Sequence, residues 1–250
     1  MPSACPRSLI ALAAIMALVS LPTGHVDAQS RERPAPDLAG IWQVAGDSDG
    51  LMEAGNPPMT AWGRERFALS KPIAGPRSVS ATQANAAELT CLPMGFPATY
   101  LRPRPFDLIQ LPDRIVMLFE VGNFWRVIHM DGRDFPDVPL HTWNGYSIGR
   151  YEADALVIET RHMLGWQSED VQRWVDRLGY PFSDELVLTE RLRRIDENTL
   201  ENVVTIDDPI AYERPWSSVM TFERSEYELS EFICQELMLS ELPEVRPGQE

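Results

Sequence analysis

The stretch ELVLTERLRRI (residues 185–195), followed by DEN (196–198) and TLENVVTID (199–207), decides the fold. In its first half Leu186, Leu188, Glu190 and Leu192 alternate with Val187, Thr189, Arg191 and Arg193. A period of two belongs to a β-strand with one face against a core. The second half repeats the pattern, with Leu200, Asn202, Val204 and Ile206 on one face and Asp208 following at the end. Asp196-Glu197-Asn198 supplies the turn, so the whole reads as an antiparallel hairpin.

Working outward, short runs rich in Val, Ile, Leu and aromatics recur at 106–111, 114–121, 123–131, 143–152, 155–162, 216–224 and 226–234. Pro112-Asp113, Gly122-Asn123 and Ala153-Asp154 separate several of them, which is the spacing of antiparallel hairpins. With a first strand starting near Leu38, these runs predict an all-β, antiparallel up-and-down barrel, because closure removes exposed edges. Residues 46–105 hold many of the Gly and Pro residues and lack alternation, so they read as a long irregular excursion. Within it Thr60 is placed to cap a short helix through about Ser70. Trp62, Phe67, Cys91, Phe96 and Tyr100 are costly to leave in water, which argues that the excursion packs. Residues 163–183, with Trp166, Trp174, Tyr180 and Phe182, predict a short helix and loop across one mouth.

At the N-terminus, Arg7 precedes an apolar run from Leu9 to Leu21 that is too short to span a bilayer and suits a signal-peptide core. Cleavage after Val26-Asp27-Ala28 would make 1–28 the signal peptide and 29–37 a flexible leader. Residues 38–236 then form one domain and 237–250 a frayed tail. The expected location is periplasmic or secreted, with no membrane span after signal removal. Loss of Cys5 leaves Cys91 and Cys234, an even pair that predicts one disulfide in an oxidising compartment. A net charge of −15 argues against nucleic acid or anionic lipid as partner. No metal site is expected, since the cysteines lack paired spacing and His129, His141 and His162 are not clustered.

Asp37-Leu38-Ala39-Gly40-Ile41-Trp42 resembles the Gly-x-Trp opening of lipocalins and other calycins, which implies a first strand placing Trp42 across the closed end of a barrel. The hairpin from Gly149 to Ile158 is similar to one in calycin-like exported proteins. Pro57-Pro58-Met59-Thr60-x-Trp62-Gly63, Thr142-Trp143-Asn144-Gly145-Tyr146-Ser147 and Thr205-Ile206-Asp207-Asp208-Pro209 resemble segments of uncharacterised exported bacterial proteins. The long excursion after Trp42 sets this chain apart from lipocalins.

There is no Walker loop, no Gly-x-Gly-x-x-Gly after a strand and no Gly-x-Ser-x-Gly elbow, so no cofactor is expected. Glu190 on a leucine face needs a partner. It is either a general base raised by burial or half of a structural ion pair with an opposing Arg such as Arg126 or Arg191. His129 shares a face with Trp125 and Val127, although Phe124, Ile128 and Met130 on the other face are equally apolar. His162 follows Leu156, Ile158 and Thr160. An acid–base set of His129, His162 and Glu190 would make the protein a cofactor-independent lyase, isomerase or cyclase working by proton transfer. The alternatives are a non-catalytic periplasmic carrier of a small hydrophobic or aromatic molecule and a structural or partner-binding envelope protein. Candidate ligand contacts are Trp125, Arg126, Trp143, Tyr146, Asn202, Asp208 and Trp216, which offer aromatic area and hydrogen-bonding groups.

Overall fold

The computed structural model describes Met1 and residues 35–46, 49–51, 57–169 and 172–234. Of the expected signal peptide only Met1, and of the leader only residues 35–37, fall among the described residues; the tail 237–250 lies outside them.

Nine strands follow the alternating runs: β1 (Gly40–Val44), β2 (Phe106–Gln110), β3 (Arg114–Phe119), β4 (Phe124–His129), β5 (Tyr146–Glu152), β6 (Ala155–Arg161), β7 (Val187–Asp196), β8 (Thr199–Asp207) and β9 (Trp216–Arg224). They close in chain order into a barrel. β1 is the joint, pairing with β2 at Trp42↔Phe106 and with β9 at Trp42↔Arg224. An odd number of strands cannot alternate direction all the way round. One parallel pair is therefore obligatory, and it falls between β4 and β5, where Ile128 faces Ser147 and His129 faces Ile148. Residues 130–145 carry the chain back so that β5 runs in the direction of β4. The expected antiparallel barrel is thus present, with this single exception.

The expected strand at 226–234 does not form. Both edges of β1 are already paired, which leaves β9 no free neighbour. The segment crosses the β3–β4 turn instead, where Ser230 N–H donates to Glu120 Oε2 at 2.9 Å and Phe232 N–H to Asn123 Oδ1 at 3.4 Å. It ends at the expected disulfide between Cys91 and Cys234.

The excursion contains the expected helix, α1 (Ala61–Leu69), with Thr60 Oγ1 accepting from Gly63 N–H at 3.1 Å. Gly63 has no alternative, because a Cβ there would lie 2.3 Å from the Ala211 carbonyl oxygen. The last part of the excursion goes inside the barrel. A 3₁₀ turn at Ala98–Leu101 is wholly buried, and Phe96 precedes it. The Tyr100 ring lies 5.5, 5.7 and 5.4 Å from the rings of Phe106, Phe119 and Phe222. The barrel lumen is packed by the chain's own aromatics. The helix expected within 163–183 is absent among the described residues, where the segment is a loop held by Trp166 N–H to the Phe182 carbonyl at 2.9 Å and a bridge between Trp174 and Pro181.

Candidate functional site: a groove beside a buried ion pair

Glu190 points into the barrel from β7 and is fully buried. A carboxylate there is tolerable only if paired. Its partner is Arg126, which projects inward from β4 because Arg126 and Ile128 occupy the buried positions of that strand. All five guanidinium donors are used. Nε–H donates to Ser147 Oγ at 3.1 Å, and Nη1 to the Tyr100 hydroxyl at 2.8 Å and Glu190 Oε1 at 3.1 Å. Nη2 donates to Thr160 Oγ1 at 2.6 Å and to Glu190 Oε2. Asn202 Nδ2 adds a 3.4 Å bond to Glu190 Oε1, and Phe96 covers the guanidinium at 4.2 Å. Burial opposes the charge on Arg126, yet Glu190 and Tyr100 override it and raise its pKa. Burial, then the negative charge of Glu190, pushes the Tyr100 hydroxyl well above its ordinary value.

Arg126 and Asn202, expected to meet a ligand, are therefore absorbed in this network. Asp208 is likewise committed. It accepts from Ser183 N–H at 2.6 Å, Ser183 Oγ at 2.8 Å, Ile210 N–H at 3.1 Å and Ala211 N–H at 3.0 Å, which makes it the staple of the turn after β8. Trp216 is buried with its ring 5.4 Å from that of Tyr212, a core contact. Tyr100, Ser147 and Thr160 complete the polar centre; the sequence marked Tyr100 only as a packed aromatic and gave none of the three a polar role.

The proposed acid–base set is not brought together. Arg126 and Ile128 face the lumen, so His129 faces outward with Trp125 and Val127, on the other side of the wall from Glu190. His162 lies just past β6 beside His141, with ring centres 5.6 Å apart. A chain of ring contacts joins all three histidines: His129 to Tyr146 at 4.9 Å, Tyr146 to Phe135 at 6.1 Å and Phe135 to His162 at 5.9 Å. Residues dispersed in sequence thus share one outer patch. Burial, then Arg133, lowers the pKa of His129.

A groove of about 540 Å³ opens in this patch, lined by Trp125, His129, Trp143, Asn144 and Tyr146, with Arg126 and Ser147 reaching its inner side. Its cause is the parallel pair. β4 and β5 share only two residue pairs, so Phe124–Val127 pair with β3 on one side and line the groove with residues 142–145. The walls are held in place: Arg173 lies 4.5 Å over the Trp143 ring and donates to its carbonyl at 2.8 Å, while Arg133 Nη1 donates to the Tyr146 hydroxyl at 3.3 Å. Trp125 is 65% exposed at the rim.

The closed ladder defines a mostly antiparallel β-barrel of nine strands. No family model and no curated protein matches the chain. Among solved structures it is similar to a mutant of the fluorescent protein UnaG, at 14% identity and a TM-score of 0.35, over 76% of this chain and 97% of that one. It is also similar to a secretory abundant heat soluble protein from Ramazzottius varieornatus, at 8% identity and a TM-score of 0.28, with the same coverages. Superpositions this loose assign no function. No helix among the described residues is long and apolar enough to cross a membrane.

Proposed function

We propose that this protein binds a small, flat, apolar or aromatic molecule in the groove between β4 and β5, as a carrier without turnover. The observation that carries the reading is the groove itself. Its volume of about 540 Å³ suits a small molecule, and its aromatic walls are exposed where the barrel ladder is interrupted. A lumenal site is disfavoured because Phe96, Tyr100 and Leu101 fill that space. Proton transfer is disfavoured because Glu190 is committed to Arg126, which leaves His129 without a carboxylate partner from the proposed set. Export to an oxidising compartment belongs to the same proposal, supported by the disulfide and by the apolar run ahead of Val26-Asp27-Ala28.

The test is titration with Nile red, an uncharged aromatic dye, followed by dye emission and by tryptophan quenching. Trp125→Ala and Trp143→Ala should each weaken binding about three- to tenfold, the worth of one aromatic contact, while the melting temperature stays close to that of the parent. Dye binding that is indifferent to both changes would refute the groove as the site.

A further inference from the structure

His141 closes the connection into β5, and His162 follows the last residue of β6. Their backbones are locked together by Thr142 N–H donating to the His162 carbonyl at 3.0 Å and Leu164 N–H donating to the Thr142 carbonyl at 2.7 Å, around the bridge between Thr142 and Met163. His162 sits at φ 61°, in the left-handed region that side-chain-bearing residues seldom enter, so it breaks the alternation of β6. The result is a pair of imidazoles with centres 5.6 Å apart and planes at 86°. With metal–nitrogen bonds of about 2.0–2.1 Å, rings at this separation are close enough for both imidazoles to reach one ion.

We propose that His141 and His162 form a two-imidazole site for a divalent transition metal that prefers nitrogen ligands, Cu²⁺ or Zn²⁺. The site is distinct from ligand binding in the groove. Among the described residues no group of three or more His, Cys, Asp or Glu side chains could hold an ion, so the proposed site has two protein ligands. Both histidines are partly exposed, which gives the ion access. Phe135 packs 5.9 Å from His162 and forms an apolar wall. The charge of neighbouring Arg161 is engaged by Glu159 at 2.6 Å, which reduces its repulsion of a cation.

Tag-free, metal-free protein titrated calorimetrically with CuSO₄ and ZnCl₂ should take up one equivalent of either, Cu²⁺ the more tightly. Paramagnetic resonance of the copper form should show coupling to two imidazole nitrogens, a readout that needs no variant. His141→Ala and His162→Asn should each lower affinity about tenfold or more, a change of about 1.4 kcal/mol. Asn is chosen because it tolerates the left-handed backbone. His129→Ala should leave binding unchanged. Equal affinity in the parent and the His141→Ala/His162→Asn double variant, or coupling to fewer than two imidazoles, would overturn the site and leave the pair as an edge-to-face ring contact.

Discussion

Arg126 and Glu190, on β4 and β7, meet inside the barrel as a buried ion pair, and every donor of the guanidinium is satisfied by residues of four different segments. Such a pair is expensive to break on one side, because the survivor remains buried and charged. Glu190→Gln should lower stability by about 3–5 kcal/mol in urea unfolding while Nile red affinity at the groove stays within about twofold. The paired replacement Arg126→Met/Glu190→Leu should cost less than either single change, since it removes both charges together. A single variant as stable as the parent would show that the pair contributes nothing to stability.

Asp176 is buried in the loop before β7, where Leu178 N–H and Tyr180 N–H donate to its Oδ1 at 3.0 and 3.3 Å. Burial pushes its pKa up to about 7 despite those bonds. In the unfolded chain the group titrates near the ordinary value of about 3.9, so over this window the folded state holds a proton that the unfolded state releases. Stability should therefore fall as pH rises from about 4 to about 7 and stay lowered above it, by up to roughly 4 kcal/mol. Asp176→Asn should flatten this fall, with its advantage over the parent larger at pH 8 than at pH 5 in thermal melts. The same advantage at both pH values would exclude Asp176 as the source.

The Cys91–Cys234 bridge spans 143 residues and ties the excursion that fills the lumen to the strap across the β3–β4 turn. In the chain-entropy model a loop of this length is worth about 4–5 kcal/mol, and less where the native state yields. Protein isolated from an oxidising compartment should show no titratable thiol after denaturation, apart from Cys5 if residues 1–28 are retained. A reducing agent should lower its melting temperature, and an unchanged melting temperature would mean that the bridge contributes nothing to stability.

Trp42 is fully buried in β1, with its indole N–H donating to the Leu38 carbonyl at 3.0 Å and the guanidiniums of Arg194 and Arg224 5.8 and 5.7 Å from its ring. Trp42→Ala should cost about 3–5 kcal/mol, because it opens a cavity at the joint where β1 meets both β2 and β9. A cost below 1 kcal/mol would place the tryptophan outside the load path of the barrel.

What the sequence determined by itself is what local periodicity and pairing rules encode. Alternation in 185–207 specified β7 and β8, Thr60 marked the start of α1, the resemblance at Gly40-x-Trp42 implied the first strand, and Cys91 with Cys234 gave the expected bridge. Tertiary structure decided the partners. Arg126 finds Glu190 across 64 residues, and no period links them. The face of β4 was ambiguous because both faces are apolar; it was decided when the buried arginine had to reach that carboxylate. The strand expected at 226–234 has adequate local composition and fails only because barrel closure leaves it no edge. The parallel β4–β5 pair, and the groove it opens, follow from the parity of nine strands in a closed ring, a property of the whole circuit that no window of sequence contains.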